Sequence, residues 1–414
     1  MDHAQDNLTL SDAWEILSGD KDIITFKEAL LFTQNRIPVT KDEFKQLSDE
    51  VKFRSFTVAA LTEYDQINTM KNQIRVAIEK GSTLTDFIKR AEKDIAELSE
   101  VYPGYMENVF RTNMQSAYSA GRELQFKKNP PEYVEIQGIE DTRQCDICGP
   151  RDGIILTYDD PWWADNIPPY HFQCRCHRRG ISKEEAEILG VKQTDATNLP
   201  TDKPLDGFGG NPLKEESFFN ITKDMARRAI EYNIDGDIAA LARELEVPVG
   251  IKNMVNNYPI FKDGQEKLPK NSFVKVSPNK MDPNKKYSQL NPADKLEIDA
   301  AFILAKKGNK VYMLPGTTAK GIKSSDLFVN GKTLKNSFVE IKNVTGNIKT
   351  IETQIQKAFT QANNYFFIIN NPSITESLLR DVLKGKLRNK NTDGLFIGIL
   401  NDNYFEWQLK YILK

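Results

Sequence analysis

The chain changes its hydrophobic period along its length. Between residues 8 and 126 apolar positions recur at helical spacing. The clearest case is TLTDFIKRAEKDIAEL (83–98), where Leu84, Phe87, Ile88, Ala91, Ile95 and Leu98 share a face and Thr83 or Thr85 stands ready as the cap. Pro103-Gly104 break the chain, and a helix is predicted from about Tyr105 to Lys127, ahead of Asn129-Pro130-Pro131. Residues 132–180 read as short strands and loops. Residues 190–215 and 262–292 lack a period and are rich in breakers or in Lys and Asn, so they read as linkers on either side of short helices near 222–233 and 236–246. From Asn291-Pro292, a cap followed by proline at the first helical position, the pattern turns to alternation. It predicts a helix to about Lys307, strands at 310–314, near 326–329 and near 337–342, a helix at 348–364, a strand at 365–369, a helix at 373–384 and a strand at 395–400. The expected architecture is multidomain: a mostly α N-terminal region (1–100), a small Cys-rich α+β module (101–185), linker and short helices (186–290), and an α/β C-terminal domain (291–414).

Composition narrows the class. Of 414 residues, 39% are hydrophobic and 28% charged, too apolar for a disordered chain. No apolar run approaches the ~20 residues of a membrane-spanning helix, so no membrane partner is expected. The opening MDHAQDN is acidic and polar, which predicts no secretory signal. The net charge of −2 hides an asymmetry: residues 291–414 hold 18 Lys+Arg against 11 Asp+Glu, a net +7, which leaves −9 for the rest. A basic C-terminal segment on an acidic chain points to a polyanionic partner, or to a solvated lysine-rich face.

All four cysteines fall between 145 and 176, as Cys145-x2-Cys148 and Cys174-x-Cys176, with His171 three residues before the second pair. Two close pairs at this separation suit a tetrahedral structural site, with Zn²⁺ as the default ion. Because Cys-x-Cys is tight, His171 is a candidate to replace one of its thiols. Two disulfides, or four free thiols, are the other readings.

The residues around that cluster carry a resemblance. Phe110-Arg111-Thr112, Ala117-Tyr118 and Gly121-Arg122 precede it, followed by Asp141-Thr142-Arg143-x-Cys145-x2-Cys148, Gly153 and Pro168-Pro169-x-His171-x2-Cys174-Arg175-Cys176. In this order they resemble the Mu F-like family of phage minor head (head morphogenesis) proteins over about 105–180, with Phe172 where the family usually has proline. The resemblance implies a minor capsid protein that associates with portal and head proteins and is packaged in the virion. On the residues alone, Arg111, Tyr118 and Arg122 share one helix face and read as an ordinary paired surface. Trp162 and Trp163 read as core or interface anchors.

The C-terminal segment carries a second constellation. In Phe338-Val339-Glu340-Ile341-Lys342, Val339 and Ile341 face one side and Glu340 and Lys342 the other. If residues 330–336 form the loop, Asp326 lies opposite Glu340, and the pair is placed to share a divalent metal, with Lys342 beside them for the attacking water. If instead Asn330-Gly331 makes a two-residue turn, Asp326 pairs with Lys335. Glu-x-Lys alone reads as an exposed salt-bridged edge. Glu297 on the opening helix, and Gln361-x3-Tyr365 after the next one, add polar groups. A helix with Glu, then Asp, then Glu-x-Lys resembles the PD-(D/E)xK nuclease pattern, with Ser325 in place of its proline. More closely, the run over 291–414 resembles the C-terminal tRNase domain of contact-dependent inhibition toxins. That resemblance implies Asp326 and Glu340 as ligands of Mg²⁺ or Mn²⁺, Lys342 as catalytic and Glu297 as supporting. Lys357, Gln361 and Tyr365 are the candidate substrate contacts.

The expectation is therefore a phage or prophage minor head protein joined to a metal-dependent nuclease toxin. It would be carried in the virion, would cleave tRNA in the cytoplasm of a target bacterium, and would be matched by an immunity protein in the producer. A DNase on the same scaffold, a structural head protein with an inactive C-terminal domain, and a toxin whose first half is only a delivery adaptor are the alternatives.

Overall fold

The computed structural model describes residues 26–100, 103–214, 216–319, 322, 324–359, 363–387 and 394–412. Near the start of the chain, four helices pack together: α1 (Lys27–Gln34), α2 (Tyr64–Lys80), α3 (Leu84–Asp94) and α4 (Pro103–Lys128). Thr83 caps α3 by accepting from Asp86 N at 3.2 Å. Phe32, Ile67, Met70, Ile74, Phe87, Met106 and Ala117 meet in one core, so α4 closes the core of α1–α3. The expected division at 100/101 is therefore no packing boundary. Gly121 lets α1 lie against α4, since a Cβ there would stand 2.8 Å from Ala29 N. A three-stranded antiparallel sheet follows, with β1 (Tyr133–Gln137) between β2 (Ile155–Thr157) and β3 (His177–Ile181). The buried Glu123–Arg178 ion pair (2.6 Å) ties α4 to β3.

The C-terminal body is a seven-stranded mixed sheet. Its strands are β4 (Phe273–Val276), β5 (Asn309–Met313), β6 (Leu327–Gly331), β7 (Ser337–Val344), β8 (Asn364–Ile369), β9 (Leu395–Leu400) and β10 (Asn403–Gln408), in the order β10-β9-β8-β7-β6-β5-β4. The helix α7 (Pro292–Lys306), capped by Asn291 as expected, covers one face over Val311, Leu327, Val339 and Phe366. The helices α8 (Ile348–Ala358) and α9 (Glu376–Leu387) cover the other face at the β8–β10 side.

Two stretches differ from the linker reading. Phe273–Val276 is a strand paired parallel to β5, so the sheet begins before residue 291. Helices α5 (Lys223–Glu231) and α6 (Asp235–Glu244), with Met254, Val255 and Tyr258, form a core that takes Leu31, Val39 and Leu124 from the first body, Tyr312, Phe328 and Phe338 from the sheet, and Leu314 just after β5. The two halves are thus joined by a shared apolar core as well as by chain. Asp235, buried, accepts from Tyr258 (2.9 Å), Ser277 (2.6 Å) and Asn279 (2.8 Å). Asp237 accepts from Thr317 Oγ1 (2.6 Å), Thr318 N (2.8 Å) and Thr318 Oγ1 (2.9 Å), while Gln34 on α1 donates to Thr318 Oγ1 at 2.8 Å.

Lys71 is buried at the same seam. Its ammonium donates to Arg36 O at 3.0 Å and its charge faces Asp237, yet burial pushes its pKa down to about 7. Between that value and the ordinary lysine value of about 10.4, the unfolded chain binds more protons than the folded one. Stability from this group therefore rises with pH across that window. In urea melts at neutral pH and at about pH 9.5, wild type is expected to gain stability relative to Lys71→Met. An identical pH response of the two chains would show that Lys71 is not the group responsible.

Candidate functional site

The register places the carboxylates. Leu327 pairs with Val339, Phe328 with Phe338 and Val329 with Ser337, so Asp326, one step earlier, stands opposite Glu340. The competing turn at Asn330-Gly331 does not form. Those two residues continue β6 and pair with Lys310 and Asn309 of β5. Gly331 suits this close approach, because a Cβ there would lie 2.5 Å from Asn309 Cα. The reversal falls at 332–336 instead, where Asn336 takes a left-handed φ of 50°.

Asp326 Oδ2 accepts from Ile341 N at 2.7 Å. Glu340 is 2% exposed and is ion-paired to Lys342, two residues along the same strand. Its Oε2 is buried with no hydrogen-bond partner. Burial first, and the neighbouring Asp326 second, push the Glu340 carboxyl up to about 7, against the pull of Lys342 and Arg243. Burial also raises Asp326, against the pull of its bond from Ile341 N and of Lys280 and Lys342. Glu297 on α7 is paired with Lys280 at 2.7 Å, and its carboxyl is raised by burial, with the charge of Asp326 adding to the rise. Asp326, Glu340 and Glu297 do not gather three carboxylate oxygens within 4.8 Å of one another. Tyr365 pairs in register with Glu340 but is buried, its ring tilted against Phe359 at 4.8 Å between centroids, so it supports the site rather than standing open to a substrate. Lys357 is exposed on α8. Gln361 lies outside the described residues. Lys280 and Arg243 were missed by sequence reasoning. Neither belongs to a motif that carries chemistry, and only the fold brings their charge near Glu297, Asp326 and Glu340.

The cysteine cluster is local and closed. Cys148 Sγ lies 3.1 Å from His171 Nε2 and 3.8 Å from Cys174 Sγ, and Cys145 Sγ lies 3.2 Å from the same imidazole nitrogen. Two overlapping ligand groups share Cys148: Cys145–Cys148–His171 and Cys148–Cys174–Cys176. All four thiols are free, and 3.8 Å is far beyond the ~2.05 Å of a disulfide. It is instead close to the edge of a tetrahedron with metal–sulfur bonds of ~2.3 Å. His171 Nδ1 donates to Phe172 O at 2.7 Å, which leaves the Nε2 lone pair facing the thiols. Hydrogen bonds from Cys148 and Cys176 hold the Cys174 thiol far below the ordinary thiol value, so one thiolate is already favoured. The donors are of the kind a zinc ion takes, gathered as two groups of three that share Cys148. The long helix buttresses it, Gln115 donating to Cys176 O and Thr112 Oγ1 accepting from Gln173 N at 3.0 Å. Arg111 is exposed and paired with Glu107 at 2.6 Å, and Tyr118 stacks on Phe26, in keeping with a paired surface. Trp163 is buried under Arg178 as an anchor. An apolar cleft of about 420 Å³ opens beside this module, lined by Phe32, Phe44, Phe53, Val58 and Phe208, with exposed Phe172 also on its wall.

Residues 68–179 match the family described as Phage Mu protein F like protein. That segment is Mu F-like. It takes in most of α2, all of α3 and α4 and the whole cysteine cluster, and so begins well before residue 105. The chain is 24% identical over 201 residues to "Putative capsid assembly protein F" of Escherichia phage Mu, covering 44% of this chain and 46% of that protein. It is 28% identical over 170 residues to the Mu-like prophage FluMu F protein of Haemophilus influenzae, covering 37% and 41%. The chain spans less than half the length of these relatives. Among solved structures, a CdiA-CT/CdiI toxin and immunity complex from Burkholderia pseudomallei matches 33% of this chain and 98% of its own, at 20% identity and a TM-score of 0.24. At that score the likeness bears on neither fold nor activity.

Proposed function

We propose that this chain is a head-associated protein of a phage or prophage whose C-terminal body is a metal-dependent nuclease, with tRNA as the first substrate to test. The Mu F-like segment supports the head role, with portal and head proteins as partners and the virion as location, and the apolar cleft beside Phe172 is a surface such partners would use. The nuclease reading is carried by one observation. Asp326 and Glu340 face each other across β6 and β7, with Lys342 on Glu340 and one buried carboxylate oxygen left without a partner. That free oxygen and the paired carboxylates fit Mg²⁺ or Mn²⁺, which Asp326 and Glu340 would hold. When bound, such an ion supplies an acidified water and stabilises charge on a phosphate. Lys342 fixes the Glu340 carboxylate and would steady the attacking water. Glu297, held by Lys280, supports Asp326 from the next helix. Lys357 and Gln361 would meet the polyanion. The cysteine cluster would hold a structural Zn²⁺. A PD-(D/E)xK-like fold, a target in the bacterial cytoplasm and a cognate immunity protein belong to this reading.

A second reading has its own support. Glu340 is buried, as a purely structural role would have it, and the protein would then be a head component whose C-terminal body binds nucleic acid without cutting it. The test is incubation of the full chain, wild type and Glu340→Ala, with total tRNA and with plasmid DNA in Mg²⁺ or Mn²⁺, in plain buffer and in mild urea. Discrete tRNA fragments that disappear in the variant are the expected result. Plasmid loss would keep the nuclease and change its substrate. If neither is cut under any condition, the enzyme reading falls and the structural one stands.

A further inference from the structure

We propose that the α5–α6 segment, held to the head-side body, is a built-in cover that keeps the candidate nuclease site closed until the two halves separate. The proposal rests on the nuclease reading above. Side chains two apart along a strand share a face, so Phe328 and Phe338 lie on the same face as Asp326 and Glu340. Both phenylalanines are packed into the core built by α5, α6, Met254 and Val255. The cover therefore lies on the carboxylate face, on the side away from α8. Its inner end is pinned to the loop after β5 by the three bonds from Thr317 and Thr318 to Asp237. Gly236 is pressed so closely on that loop that a Cβ would stand 2.1 Å from Gly316 O. Farther along α6, Arg243 sits near enough for its charge to act on Glu340.

The opposite side of the cover is tied to the first body. Lys127 donates to Leu245 O at 2.9 Å, Lys128 pairs with Glu244 at 3.1 Å, Arg228 pairs with Glu43 at 2.9 Å, and Tyr232 donates to Asp65 at 2.7 Å. A phosphodiester must reach the carboxylates to be cut, yet Glu340 is 2% exposed beneath this arrangement. A motion that draws the head-side body off the sheet would carry the cover with it. The producing cell would then hold a silent enzyme.

The test uses the full chain. Gly236→Val drives a side chain into the Gly316 carbonyl and wedges α6 off the loop. Asp237→Asn weakens the Thr317–Thr318 clamp with little change of shape, and guards against a Gly236→Val chain that fails to fold. Glu340-dependent tRNA cleavage is followed beside amide exchange over 338–342. Both variants are expected to cut at least about ten-fold faster than wild type, in step with a matching rise in the open fraction. Their exchange over 338–342 should be faster, and wild type should speed up in mild urea before it melts. Adding Glu340→Ala should abolish the gain. A wild type that already cuts as fast as both variants overturns the cover and leaves the nuclease standing, as does faster exchange with no gain in rate. If no chain cuts in any condition, the nuclease reading itself falls and takes the cover with it.

Discussion

Glu340→Gln is expected to give an inactive protein that is more stable than wild type. The side chain keeps its size and still accepts a hydrogen bond from Lys342, so the strand has no reason to rearrange. On the nuclease reading, cleavage should fall on the order of 10³-fold or more, since a metal ligand and the charge it presents are both lost. The stability effect has the opposite sign. Burial and the facing Asp326 lift the Glu340 carboxyl to about 7. Between the ordinary glutamate value of about 4.3 and that point, the folded chain holds more protons than the unfolded one, so wild-type stability falls as pH rises through the window. Above it the buried charge is carried at full cost. Glutamine removes that cost and the slope with it, for a net gain on the order of 1–2 kcal/mol near pH 8 once the lost ion pair is set against it. Urea melts of both chains in EDTA across this pH range read the effect. A variant that is both less stable and unchanged in cleavage would make Glu340 a structural ion-pair partner and nothing more.

That tension between burial and charge is where sequence and fold part company. The identities Asp326, Glu340 and Lys342 could be picked out because strand alternation is local: Val339 and Ile341 must turn one way if Glu340 and Lys342 turn the other. The register was not legible. Asn330-Gly331 is a strong turn signal, and only the demand of β5 for a partner strand extends β6 through it. The same limit hid Phe273–Val276. Four alternating residues amid Lys, Asn and Pro carry little signal, and pairing with β5 decides the matter. It hid β10 as well, although Asn401-Asp402, both with positive φ, close its two-residue hairpin. The short helices at 223–244 were legible as helices. Their role was not, because an apolar helix face does not say which two bodies it will bridge. By contrast the cysteine cluster could be read from spacing, since all five candidate ligands lie in one short stretch, 145–176.

Cys148→Ser is expected to cost the most stability of any single cysteine change. Cys148 is the one residue common to both ligand groups, and it is buried in a small core with Val134, Ile136, Ile154 and Tyr170. That core is thin. The sheet beneath it has strands of five, three and five residues, too little apolar face to hold its loops without a further link. A structural zinc supplies binding free energy of about 10 kcal/mol or more, most of it available only to the folded module. Serine offers no thiolate at neutral pH, so the variant should lose both the ion and the junction between the two ligand groups. Metal analysis of purified wild type should find close to one zinc per chain, and the variant close to none. Amide exchange across 133–181 should become fast, while the sheet at 309–344 stays protected. Cys145→Ser, at the edge of the cluster, should lose less, because it leaves the Cys148–Cys174–Cys176 group whole, whereas Cys148→Ser breaks both groups. If wild type carries no metal and Cys148→Ser costs only the ~1 kcal/mol of a conservative buried substitution, the thiols are packing groups. Hydrogen bonding among His171 and the four cysteines would then be the whole of what closes the loop.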